Sequence, residues 1–140
     1  MSDASGGQMA KRILVVEDSE VIQRLIEVCL RPAGFQIEPR GDGHSGVAAA
    51  RELLPDLVIL DVGLPGLDGW EVLGRLRADE KTANLRVLIL TAHAQDETKA
   101  RANAGGADAF LSKPFRPNDL RVIVQQLLEP QQTESASAVS

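Results

Sequence analysis

Leu57-Val58-Ile59-Leu60-Asp61 is the stretch on which the fold turns. Four aliphatic side chains in a row, two of them β-branched, run into a single acid. Val62-Gly63-Leu64-Pro65-Gly66 then breaks any regular structure. A short apolar run between turn signals predicts a strand buried on both faces, as in the middle of a parallel sheet. In open α/β sheets, ligands bind in the crevice beyond the carboxyl ends of the strands. Asp61 stands at such an end, and the other strands decide whether reactive groups join it there.

Outward from this stretch, Arg12 to Val16 predicts a second buried strand, and it too ends in acid, Glu17-Asp18. Ser19 suits the N-cap of a helix whose apolar face would hold Val21, Ile22, Leu25, Ile26, Cys29 and Leu30, closing at Arg31 before Pro32. Phe35 to Glu38 alternates and is short, as an edge strand should be. After the Gly41-Asp42-Gly43 turn, a second helix over about His44 to Leu54 carries Val47, Ala48, Leu53 and Leu54 and stops at Pro55. A third helix, Trp70 to Arg77, would turn Val72, Leu73 and Leu76 inward and Arg75 and Arg77 outward. Arg86 to Thr91 is another wholly apolar strand, ending in a hydroxyl. A fourth helix, about Gln95 to Ala104, is polar and alanine-rich. With so little apolar surface to bury, it is expected to be the least firmly anchored element. Gly105-Gly106 ends it, Ala107 to Ser112 is the fifth strand, and Pro117 opens a fifth helix with Leu120, Ile123, Val124, Leu127 and Leu128 as its stripe.

Strand alternating with helix in this way predicts an α/β fold, a doubly wound five-stranded parallel sheet. The first, third and fourth strands are the most continuously apolar and should be central, which favours the order 2-1-3-4-5. The switch point then lies between strands one and three, where Glu17, Asp18 and Asp61 would meet. Thr91 and Lys113 end strands four and five on the same rim.

Length and composition bound the rest. At 140 residues, 44% of them hydrophobic and 25% charged, the chain is expected to form one domain over 11–129. Extensions at 1–10 and 130–140 are polar, and the first is expected to be disordered. The polar extensions point to a free-standing protein. A net charge of −5 argues against a direct nucleic-acid or anionic-membrane surface. The single cysteine, Cys29, excludes an internal disulfide and reads as buried filler in a reducing compartment. With no secretory signal and no span-length apolar run, the cytoplasm is the expected location.

Three carboxylates at one rim repel one another and call for a counter-charge. Mg²⁺ is the natural one, since it takes oxygen ligands, keeps several waters and bridges to phosphate. Lys113 adds a compact ammonium, Thr91 a hydroxyl and Ala92 a backbone N–H. Such a set suits phosphoryl chemistry at a carboxylate nucleophile. No glycine-rich phosphate loop indicates a nucleotide. Each residue alone has a plainer reading: Glu17-Asp18 as a helix start, Asp61 as a loop acid, Lys113 as a surface lysine, Thr91 as a cap. Their shared place at the ends of the strands is what favours the sharper one.

The segments ILVVEDS (13–19), LVILDVGLPGLDGWEVL (57–73), VLILTAH (87–93) and GADAFLSKPF (106–115) resemble, in order, the motifs of the receiver domain of bacterial two-component response regulators. The resemblance is to the single-domain, chemotaxis-regulator type, and it covers the chain from about Lys11 to Glu129. It implies the flavodoxin-like (βα)5 fold, of which a chemotaxis regulator is itself a standard example. It further implies that Asp61 is the phosphoacceptor and that Asp18, Asp61 and the Gly63 backbone carbonyl bind Mg²⁺, with Glu17 acting through a water. Lys113, Thr91 and the Ala92 backbone would hold the phosphoryl group. Thr91 and Phe110 would form the switch pair, and the Lys113-Pro114 bond would be cis. Glu17 stands where Asp is commoner, and Phe110 where tyrosine is. Gly63 and His93 occupy positions bordering the path of water to the phosphoryl group.

The resulting expectation is a phospho-accepting response regulator of a phosphorelay. It would take its phosphoryl group from a histidine kinase or a histidine phosphotransfer protein, and switch the face built from helix four, strand five and helix five. A downstream protein partner on that face, or onward phosphotransfer, would be the output. Such a protein modifies itself and is not expected to be an enzyme. Two rivals remain: a constitutive adaptor that keeps the fold without using the site, and a small hydrolase, for which only His93 could serve as the general acid or base.

Overall fold

The computed structural model describes residues 10–92, 100–101 and 103–128. The expectations for the two terminal extensions, for His93 and for most of the fourth helix lie outside the described residues. Five parallel strands form one sheet: β1 (Arg12–Val16), β2 (Gln36–Arg40), β3 (Leu57–Asp61), β4 (Arg86–Thr91) and β5 (Ala109–Ser112). Their order is β2-β1-β3-β4-β5, all pairs parallel. The three most apolar strands are central, and the short alternating one is an edge.

Helices α1 (Glu20–Leu30), α2 (Gly43–Leu53) and α3 (Gly69–Ala78), with a C-terminal helix (Pro117–Leu128), cover both faces. A strand sends alternate side chains to opposite faces. Ile13, Val15, Leu57, Ile59, Leu88 and Leu90 therefore pack with α1 and the C-terminal helix, through Ile26, Cys29, Leu30, Leu120 and Val124. Leu14, Val16, Val58, Leu60, Val87 and Ile89 pack with α2 and α3, through Ala49, Ala50, Val72, Leu73 and Leu76. These strand side chains are fully buried, which makes the sheet the rigid base of its own C-terminal rim.

The helix starts are capped by side chains. Ser19 accepts the Ile22 N–H at 3.3 Å, Asp42 the Ser45 N–H at 2.8 Å and Asp68 the Glu71 N–H at 3.0 Å. Helix α1 stops at Leu30, one residue short of the expected end, and passes into a 3₁₀ turn over Arg31–Ala33.

Three inward assignments and one outward assignment differ from expectation. Val21 is 76% exposed, because the buried face of α1 centres on Ile26, Cys29 and Leu30 instead. On α2, Ala48 and Leu54 are exposed, and Gly43, Gly46, Ala49 and Ala50 are buried. The cause is close approach: a Cβ on Gly46 would stand 2.8 Å from both Val16 methyl carbons. Arg77 faces inward enough to donate to the carbonyls of Ala83, Leu85 and Gly106 and to the Asp108 carboxylate.

Candidate functional site

The parity that sorts the core also aims the site. Counting on from Ile13 and Val15 reaches Glu17; from Leu57 and Ile59, Asp61; and from Ala109 and Leu111, Lys113. All three continue the alternation of the α1 side of the sheet. Register sets them level, since Val16 pairs with Leu60 and Asp61 with Leu90. The outcome is an ion-pair cluster: the Lys113 Nζ lies 2.8 Å from Glu17 Oε1 and 3.4 Å from Asp61 Oδ2. Carboxylate oxygens of Glu17, Asp18 and Asp61 all fall within 4.8 Å of one another.

Burial divides these groups. Glu17 is 1% and Asp61 5% exposed, while Asp18 is open to solvent. Glu17 is held on both carboxylate oxygens, because Oε2 accepts the Ser19 N–H at 3.1 Å while Oε1 faces Lys113. Asp61 is oriented similarly, with Oδ1 accepting the Gly63 N–H at 2.9 Å and Oδ2 facing Lys113. Burial pushes the Glu17 carboxyl up, against hydrogen bonds from Lys113 and Ser19, and the Asp61 charge adds to the rise. For Lys113, burial works against the ammonium. The Glu17 hydrogen bond and the charges of Asp61 and Glu17 outweigh it, and the pKa is raised. The ammonium is therefore a fixed positive charge at neutral pH.

Thr91 ends β4, is buried, and its carbonyl accepts the Lys113 N–H at 2.7 Å. Its parity is that of Val87 and Ile89, so its side chain starts from the opposite face to Asp61. Ala92, one residue on, is exposed. Phe110 sits opposite Ile89 in β5, half-buried against the α2 and α3 side of the core. Glu17, Asp18, Asp61 and Lys113 are thus gathered into one cluster, whereas Phe110 belongs to the layer beside it. The Lys113-Pro114 peptide is cis.

Two supporting residues had no sequence signal. Gly69 opens α3 so close to the site strand that a Cβ would overlap the Asp61 carbonyl oxygen and the Val62 Cα. Gln23, in the second turn of α1, donates from its side-chain amide to the Glu17 carbonyl at 2.6 Å.

The sequence model of the family described as "Response regulator receiver domain" matches residues 13–125. The chain belongs to this family. Among curated relatives, the receiver is 42% identical over 117 residues to the DNA-binding dual master transcriptional regulator RpaA of a Synechocystis species, covering 84% of this chain and 48% of that protein. The chain thus spans about half the length of the curated relatives it matches. Among solved structures, a response regulator described as putative, from Chloroflexus aurantiacus, superposes with a TM-score of 0.82 at 32% identity, covering 86% of this chain and 99% of that one. The receiver domain of the Pseudomonas aeruginosa sensor histidine kinase PA1611 superposes with a TM-score of 0.79 at 31% identity, over 86% and 99% of the two chains. That structure is described as having a magnesium ion coordinated in its active-site cleft. Among the described residues of the present receiver, no helix is long and apolar enough to cross a membrane.

Proposed function

We propose that this receiver, formed by residues 11–129 with polar extensions on either side, is the phospho-accepting switch of a cytoplasmic phosphorelay, and that Asp61 carries the phosphoryl group. What supports the reading most is the placement of the Lys113 ammonium between the Glu17 and Asp61 carboxylates. Asp61 is 5% exposed at the carboxyl rim of the sheet, beside the solvent-exposed Asp18. An Asp61 oxygen attacks the phosphorus of a phosphohistidine in a histidine kinase or histidine phosphotransfer protein. The O–P bond forms as the P–N bond breaks, and the imidazole leaves with the electron pair and takes up a proton from solvent.

The donor set fits Mg²⁺. It consists of carboxylates only, within reach of one point, with Asp18 exposed so that waters can complete the shell. Asp18, Asp61 and the Gly63 carbonyl would hold the ion directly, and Glu17 through a water. When bound, Mg²⁺ supplies the charge that lets a phosphoryl group approach these acids. Lys113 donates to the transferred oxygens, joined by the Thr91 hydroxyl and the Ala92 N–H. Phe110, in the layer beside the site, follows Thr91. In this way the state of Asp61 biases the face of helix four, β5 and the C-terminal helix toward a protein partner or onward phosphotransfer. The protein modifies itself and turns over no separate substrate, so we do not class it as an enzyme.

Incubation with Mg²⁺ and acetyl phosphate tests this. A phosphoprotein that forms in the wild type and is absent in Asp61→Asn supports the switch. No labelling at all would mean a constitutive adaptor, and sustained turnover of the donor a hydrolase.

A further inference from the structure

We infer that Gln23 is a positioning residue for the acidic pocket: its side-chain amide fixes the Glu17-Asp18 peptide and so aims the Asp18 carboxylate at the cation. This rests on the reading of the pocket as a divalent-cation site. Asp18 is the exposed member of the trio and lies in the turn between β1 and α1, outside the ladder that orients Asp61. Its direction is set by the peptide plane before it. That plane is held from α1, where Gln23 Nε2 donates to the Glu17 carbonyl at 2.6 Å. The residue before it is held from β2, where the Glu17 N–H donates to the Arg40 carbonyl at 3.0 Å.

Gln23 closes the network by reaching the same Arg40 carbonyl at 3.4 Å, while its own N–H donates to the Ser19 carbonyl at 3.0 Å. One amide thus ties the helix, two strand ends and the acidic turn together. A peptide whose carbonyl loses its donor can rotate, and a rotation at Glu17-Asp18 swings Asp18 away from Asp61. Partners of this kind, one step behind a metal ligand, typically tune affinity by about 10–100-fold.

The test uses the full chain and Mn²⁺ as probe, read from the free-ion signal in electron paramagnetic resonance, with melting temperature measured in parallel. Gln23→Met keeps the length and removes the donor, and it should weaken Mn²⁺ binding about 10-fold. Gln23→Asn, too short to reach the carbonyl, should do the same and serves if the Met variant does not fold. Thr82→Val, which removes the buried hydroxyl that donates to the Leu76 carbonyl at 2.7 Å between α3 and β4, at the opposite rim of the sheet, should lower the melting temperature and leave Mn²⁺ affinity unchanged. Gln23 variants that melt lower yet bind Mn²⁺ as the wild type does would reduce Gln23 to a helix brace and overturn the inference alone. A wild type that binds no Mn²⁺ would overturn both the inference and the cation-site reading beneath it.

Discussion

Arg77 carries more of the fold than any other exposed-looking residue of α3. Its guanidinium donates to Gly106 O from both Nε (3.0 Å) and Nη2 (2.7 Å), to Leu85 O at 2.7 Å and to Ala83 O at 3.0 Å. One side chain therefore joins the end of α3 to the loops that flank β4 and β5. Arg77→Lys keeps the charge but not the fork, and should cost about 1.5–3 kcal/mol in urea unfolding, with Arg77→Ala at least as damaging. Nothing in the sequence marked this role, since backbone carbonyls leave no residue signature. Cys29 was legible as buried filler, and its thiol is pushed up by burial against the smaller pull of Arg121. A folded pKa above the unfolded one means the native state keeps its proton longer. The contribution is complete below the ordinary thiol value of 9.0 and is lost as pH rises from there through the raised folded one. The urea midpoint should therefore fall more steeply between pH 8 and 10 (about the thiol range) in the wild type than in Cys29→Ala. Equal slopes would remove the thiol from the balance.

Helices were legible where large apolar residues mark a face and illegible where small ones do. The stripe of the C-terminal helix, with Leu120 and Val124 fully buried, follows from spacing alone. Helix α2 misleads because its buried face is Gly43, Gly46, Ala49 and Ala50, whose hydrophobic signal is weak and whose value lies in letting backbones approach. Helix α3 shows the same device next to the site. Gly69 lets the helix begin against the carbonyl end of β3, and its N–H donates to Val62 O at 3.4 Å. Gly69→Ala should destabilise the protein by about 1–3 kcal/mol through overpacking against backbone that has no room to yield. It should also slow phosphorylation of Asp61, whose carbonyl it crowds. Loss of stability at an unchanged labelling rate would uncouple the start of α3 from the site. A further contact joins this helix to the segment before β5: the Arg101 guanidinium lies 4.7 Å from the centre of the Trp70 ring, a cation–π arrangement.

Across the whole molecule, alternation within the three central strands supplies the core, and the same alternation carried to the ends of β1, β3 and β5 supplies the convergence of Glu17, Asp61 and Lys113. That is why the fold and the acid-lysine cluster are legible in the order of the motifs. The supporting contacts are not, because Gln23, Gly69 and Arg77 act on backbone atoms, which leave no residue signature. If the cluster is one cation site, Asp18→Ala should abolish Mg²⁺ dependence and labelling together; undiminished labelling would remove Asp18 from it. Asp61 as the atom-accepting group is tested most directly by chemical marking. The phosphoprotein made with acetyl phosphate and Mg²⁺ is reduced with borohydride, which converts an acyl phosphate to the alcohol, and its peptides are sequenced by mass spectrometry. The account predicts homoserine in place of aspartate at position 61 and nowhere else. Reduction at Asp18 or another acid, with Asp61 intact, would contradict it.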